Sequence, residues 1–118
     1  MTKINQCRNH LFKIGNISSW EAIEHFRATR LSAYIHIFIH RDGSFIIPVS
    51  EKNRVTEANY TRYFYPEGCT QMEREELYEK VCKAEKEYPE GVEREKIRVQ
   101  KSELERRYPV LTRGKNEN

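Results

Sequence analysis

Long apolar runs are missing from this 118-residue chain. A helix that crosses a bilayer needs roughly 18 or more consecutive apolar residues, and no run here approaches that length. Nor does an apolar segment follow Met1-Thr2-Lys3-Ile4-Asn5-Gln6, so no secretion signal is expected and the cytoplasm is the expected location, with no membrane partner. Cysteine is scarce: Cys7, Cys69 and Cys82 are odd in number and lack Cys-x-x-Cys spacing. That argues against a disulfide framework and against a zinc site, and the three are read as free thiols. Also lacking are a glycine-rich phosphate loop, a Ser-His-Asp arrangement and paired-carboxylate geometry, so neither catalysis nor a cofactor is expected. Among the histidines His10, His25, His36 and His40, the last two are an i, i+4 pair. They lack the Glu of a metalloprotease motif and any nearby Cys, and no metal site is expected.

Charge of one sign is in small excess. The net charge is +3, and all of it lies in the first part: residues 1–69 hold nine Lys and Arg against six Asp and Glu, whereas residues 70–118 hold twelve against twelve. Such a surplus points only faintly to nucleic acid.

Composition divides the chain near Pro66. Aromatic Tyr60-Thr61-Arg62-Tyr63-Phe64-Tyr65 gives way to Pro66-Glu67-Gly68-Cys69, and from Thr70 Glu, Lys and Arg dominate. Residues 1–66 read as a mixed α/β unit and residues 67–118 as a charged helical extension. Thr70-Gln71-Met72-Glu73 matches a capping box, in which a Thr hydroxyl and a Glu carboxylate satisfy the free N–H groups of a helix start. The helix is expected to run to about Tyr88, stopped by Pro89-Glu90-Gly91. Leu77, Val81, Ala84 and Tyr88 share one face, with Tyr78 and Cys82 beside them, and this face must pack on the first unit or on a second copy. Leu77, Tyr78, Val81 and Tyr88 are therefore candidate partner-binding residues, and a homodimer through the C-terminal helices is the corresponding expectation. A second helix, Val92 to Arg107, has only Ile97, Val99 and Leu104 as apolar residues and is expected to rely on i, i+4 ion pairs such as Glu103–Arg107, each worth tenths of a kcal/mol. The end, Pro109 to Asn118, is expected to fray.

In the first unit, Ile4 to Ile14 reads as a helix with Ile4, Cys7, Leu11 and Ile14 on one face, ended by Gly15-Asn16. Ser18-Ser19-Trp20-Glu21 is a second capping box, opening a short helix whose Trp20, Ile23 and Phe26 are expected to point inward. The segment Ser32 to Val49 admits two readings. As a β-hairpin, Ile35, Ile37 and Ile39 alternate with His36, Phe38 and His40, and Asp42-Gly43 makes the turn. As a helix, Leu31, Ile35, Phe38 and Ile39 form an i, i+4, i+7, i+8 stripe. Strand propensity favours the first, and periodicity does not arbitrate.

The surrounding residues decide. Ile17, Ser18, Glu21, Ala22, Ile23, Phe26, Thr29, Arg30, Leu31, Ser32, Ala33, Ile35 and Gly43 stand in a frame that resembles the winged helix-turn-helix domains common in phage and prophage genes. The resemblance covers about residues 4–65. It implies an α+β fold, a winged helix-turn-helix of three helices and a two-stranded wing followed by the C-terminal helical extension. Residues 31–41 would then be the recognition helix, and Ser44–Ser50 would pair with Asn59–Tyr65 as the wing. It also implies double-stranded DNA as partner: Arg27, Thr29 and Arg30 where the third helix begins, Tyr34, His36, His40 and Arg41 along it, and Lys52, Arg54 and Arg62 on the wing.

Three departures weigh against this. Where the family has Phe-Gly this chain has Phe26-Arg27, an arginine of the third helix is Tyr34, and the closing Leu-Arg is Phe38-Ile39. Losing cations from a recognition helix weakens phosphate contact. Ile37, off the core stripe, adds apolar surface of the kind that marks a protein partner. Two functions follow: a phage-type DNA-binding regulator of transcription or excision, or a phage-encoded inhibitor whose winged helix binds a host protein or defence complex through Tyr34, Ile37 and the helical tail.

Overall fold

The computed structural model describes residues 2–112. The chain forms two compact units, one ending at Cys69 and the other starting at Thr70. The first runs α1 (Lys3–Ile14), β1 (Asn16–Ser18), α2 (Ser19–Phe26), α3 (Leu31–His40), β2 (Ile47–Lys52), β3 (Asn59–Phe64) and a 3-10 turn at Pro66–Gly68. The second holds α4 (Gln71–Glu87) and α5 (Val92–Arg107). Among the described residues no helix is long and apolar enough to cross a membrane.

The first helix starts at Thr2, whose hydroxyl accepts from Asn5 N–H at 3.3 Å, and it buries Cys7 and Leu11 completely. Ile14, expected on the same face, is half exposed, because it is the last helical residue and the chain turns into β1 beyond it. Gly15 makes that turn at φ 97°, its N–H donating to Leu11 O at 2.8 Å. Only glycine fits here, on two counts. Its φ disfavours L side chains, and a methyl group would sit 2.8 Å from Cys69 Sγ and 3.0 Å from Gly68 O. The same crowding recurs at Gly68, where a methyl group would lie 2.4 Å from Phe12 O. The Pro66–Gly68 turn is thus seated on the end of α1, with Tyr65 stacked on Phe12 at 4.4 Å between centroids. The three cysteines are free thiols.

The sheet has one strand more than the sequence suggested. Its order is β1-β3-β2, all antiparallel, with Ile17 opposite Tyr63 and Val49 opposite Arg62. A strand as short as Asn16–Ser18 carries too few residues to show an alternation. The wing also begins later than Ser44. Residues 44–46 lead in, Ser44 N–H donating to Phe38 O at 2.9 Å, and pairing runs from Ile47↔Phe64 to Lys52↔Asn59.

Helix α2 opens with the expected capping box, Ser18 and Glu21 satisfying each other's backbone N–H groups at 3.1 and 2.9 Å. Its inward face is Ala22 and Phe26, one turn apart. Trp20 and Ile23, expected inside, are 56% and 42% exposed. At 100° per residue Trp20 lies on the far side of the helix from Ala22 and Phe26, and eight residues leave no second buried face.

Between the hairpin and helix readings of the next segment, the helix is correct. Residues 31–40 are helical, with Leu31, Ile35 and Phe38 buried. Burying each is worth about 1.5–3 kcal/mol, and a hairpin would spread these side chains over two faces. That collective gain outweighs a strand propensity of about 1 kcal/mol. The three join Cys7, Leu11, Ile17, Ala22, Ala28 and Ile46 in one core.

In the second unit α4 begins with the expected Thr70–Glu73 capping box, with bonds of 3.2 and 2.9 Å. It packs on α5 as a helical hairpin. Leu77, Tyr78 and Val81 are buried within the chain, as are Leu104 and Leu111. The stripe read as a partner surface is therefore already covered, and Tyr78 hydroxyl donates to Glu105. Tyr88 is exposed but lies past the last turn of α4, at its C-cap. Burial, followed by the Glu105 contact, pushes the Tyr78 phenol upward from its usual pKa. Ion pairs lace the exposed sides: Glu103 with Arg106 and, at 2.7 Å, Arg107; Glu85 with Lys101 at 3.1 Å; and Glu90 with Arg98 at 2.7 Å. Up to Thr112 the segment expected to fray forms a further helical turn, in which Leu111 is buried. Residues 113–118 lie outside the described residues.

Two glycines of positive φ separate strain from crowding. Gly15 meets close neighbours, whereas Gly43, at φ 70°, has nothing within 4 Å of an added methyl group. Gly15→Ala is expected to lose clearly more stability in urea denaturation than Gly43→Ala, which pays only a backbone strain of about 1 kcal/mol. Equal losses would contradict the packing of the 3-10 turn on α1.

Candidate nucleic-acid interface

The turn between α2 and α3 is built from four residues. Arg27 closes α2 in the left-handed conformation, φ 55° and ψ 32°, with its N–H donating to Ile23 O at 2.9 Å. Ala28 follows, buried, donating to Ala22 O at 3.0 Å. Lys3 Nζ reaches across to Arg27 O at 3.0 Å. Thr29 and Arg30 complete the turn, Arg30 as the N-cap residue of α3 without a side-chain cap. Arg27, Thr29 and Arg30 are all exposed. Among the described residues neither guanidinium has a hydrogen-bond or ion-pair partner, so both are available to an anion. A non-glycine residue at φ 55° is strained by roughly 1 kcal/mol or more. Glycine adopts this conformation without strain, and here the chain carries a cation instead.

Along α3 the outward residues are Ser32, Ala33, His36 and His40, all exposed, with the two imidazole rings 4.2 Å apart between centroids. Tyr34 and Ile37 do not belong to that face. Both are partly buried and packed against the core, which removes the exposed patch read from Ile37 and turns Tyr34 away from the outermost line. Arg41 is exposed and its Nε lies 3.3 Å from Asp42, whose other oxygen takes Arg8 at 2.9 Å.

The wing carries two of its three expected cations outward. Lys52 ends β2, and Arg54 lies in the connecting loop beside Val55, which is 91% exposed. That loop is closed by Asn53, whose Oδ1 accepts from Val55 N–H at 2.8 Å and Thr56 N–H at 3.2 Å, and by Glu57 at φ 58°. The third, Arg62, is a structural cation. Its Nη1 lies 2.6 Å from Glu21 Oε1 and 2.8 Å from Asn16 Oδ1, and its Nε lies 3.1 Å from Glu51 Oε1. A guanidinium so engaged is not free to meet phosphate. Sequence reading missed this because Arg62 is brought to Glu21 by sheet pairing, not by spacing along the chain.

Two further features lie beside the expected contacts. Trp20 and Ile23 form an apolar pair on the outside of α2, as described above. His10 packs against Phe26 with ring centroids 5.7 Å apart, and burial, its largest influence, holds its imidazole below the usual pKa. Among the described residues no group of three or more His, Cys, Asp or Glu is placed to hold a metal ion.

A family model described as the winged helix-turn-helix domain matches residues 2–65. Comparison with curated proteins and with solved structures finds no match.

The strain at Arg27 is directly measurable. Arg27→Gly is expected to raise the free energy of unfolding by about 1 kcal/mol in urea titrations, while Arg27→Ala keeps the strain and gains nothing. A stability loss in Arg27→Gly would mean that the guanidinium holds the turn together.

Proposed function

This chain belongs to the winged helix-turn-helix domain family over residues 2–65, and from that premise we propose that it binds double-stranded DNA through the α2–α3 turn, α3 and the wing. The observation that carries the reading is the exposed pair Arg27 and Arg30, without a partner among the described residues, flanking Thr29 at the start of α3. In a helix-turn-helix the N-terminal residues of the second helix meet base edges, and a guanidinium there suits phosphate or the acceptor pair of guanine. Lys52 and Arg54 extend the cationic line along the wing, and Arg41 adds charge past the end of α3. We assign the chain the role of a phage-type regulator of transcription or excision, without an enzymatic activity of its own. The second unit, with its balanced charge, contributes little to electrostatic attraction.

A second reading is favoured by one specific observation. The outward face of α3 lacks Lys and Arg, while Trp20 and Ile23 leave apolar surface on the outside of α2. A chain adapted this way would dock a protein, as a phage-encoded inhibitor of a host enzyme or defence complex.

Salt separates the two. The five exposed cations Arg27, Arg30, Arg41, Lys52 and Arg54, if each neutralised one phosphate, would give log K against log salt a slope of about −4 to −5. An apolar protein interface is nearly indifferent to salt. In fluorescence anisotropy with a duplex, Arg30→Ala is expected to lose about 1–3 kcal/mol of binding. Unchanged duplex affinity at low salt in the folded Arg27→Ala/Arg30→Ala double variant would count against this site.

A further inference from the structure

Between Arg30 at its start and Arg41 just past its end, α3 carries no lysine or arginine, and its ionisable outward groups are His36 and His40. They stand one turn apart on the exposed face, ring centroids 4.2 Å from each other. Among the described residues neither imidazole has a hydrogen-bond or ion-pair partner. From α1, Arg8 is held by Asp42 at 2.9 Å and lies over the Phe38 ring at 5.0 Å. Asp42 itself takes both Arg8 and Arg41. Glu24 and His25 of α2 are exposed and make no ion pair with either imidazole, and Arg30 and Arg41 flank the face at its two ends.

Imidazole is the side chain that ordinarily changes charge between pH 5 and 8. The two rings stand side by side on one exposed face, so a single anionic backbone can meet both. A phosphate backbone laid across the face favours the charged form of both rings. We propose that His36 and His40 form a proton-loaded phosphate-binding pair, so that seating α3 on DNA is coupled to proton uptake. This rests on the DNA reading above and deepens it. The sign is fixed: a ligand that favours the protonated pair binds more tightly as pH falls, by at most about tenfold per pH unit for each proton taken up. The exchange is protons from solvent onto imidazole nitrogen, with no covalent step.

Duplex anisotropy at constant ionic strength, at about pH 5.5 and about pH 7.5, reads the coupling. The native chain is expected to bind roughly ten- to a hundredfold more weakly at the upper pH, and its salt slope at the lower pH to be steeper by about 0.9 for each imidazolium contact. His36→Gln/His40→Gln, both exposed positions, should flatten the pH profile and remove the extra salt slope at the lower pH, with the fold shown intact by circular dichroism. His25→Gln, on α2, should leave the profile as it was. If the double variant keeps the native pH profile, the pair is not the site of proton uptake, and the DNA reading stands without it. If the folded native chain binds no duplex at either pH, the DNA reading fails, and the pair with it.

Discussion

One carboxylate holds the first unit in register. Glu21 Oε1 accepts the Ser18 N–H at 2.9 Å, closing the capping box of α2, and accepts Arg62 Nη1 at 2.6 Å. Through Arg62 it reaches Asn16 of β1 and Glu51 of β2, and Glu51 in turn takes the Tyr60 hydroxyl at 3.1 Å. So a helix start, two strand partners and the middle of β3 meet at a single group. Burial alone would raise the Glu21 carboxyl, but hydrogen bonds from Ser18 and the Arg62 guanidinium outweigh it and hold the pKa below the ordinary value. A depressed carboxylate pKa contributes stability above the ordinary carboxylate range, and that contribution is lost as pH falls through the lowered value. Because both partners are partly buried, loss of either strands a charge, which costs more than the pair is worth as a whole. With α2 fixed to the sheet this way, the turn and α3 follow, and their cations are left facing out.

How far the sequence foretold this depends on the range of each signal. Caps and stops are local, and they were legible: the boxes at Ser18–Glu21 and Thr70–Glu73, the Gly15 terminator, and the bounds of α5 all stand where the residues put them. Burial is not local. Trp20 and Ile23 looked like core residues because they are apolar and opposite solvent-loving neighbours, yet the core was closed by Ala22 and Phe26. Leu77 and Val81 looked unpartnered because α5 is so polar, but α4 packs on α5 and both side chains are buried, as are Leu104 and Leu111. α3 was ambiguous on its own terms, and the frame around it rather than its periodicity decided the helix.

For the interface the division is similar. Arg27, Thr29, Arg30, Lys52 and Arg54 could be named from the frame, and all are exposed. Arg62 could not be excluded from it, since its partners are Asn16, Glu21 and Glu51, distant in the chain and adjacent only once β1 and β2 flank β3. Meanwhile the Arg at position 27, where glycine would sit without strain, takes physical meaning from its φ of 55°: a strained backbone position is spent on a cation. Strain kept at a turn that presents two guanidiniums without a partner among the described residues is the pattern expected of a binding site rather than of a packing one.

The DNA-docking face we propose is the turn, α3 and the wing together. The measurement that tests it most directly is a two-dimensional NMR titration of the isotopically labelled full chain with a duplex, recording which backbone amides move. The shifts should cluster at Arg27 to Ser32, at His36 and His40, and at Lys52 to Val55, leaving α4 and α5 unmoved. Shifts confined to Trp20 and Ile23 on α2, or to the second unit, would contradict it.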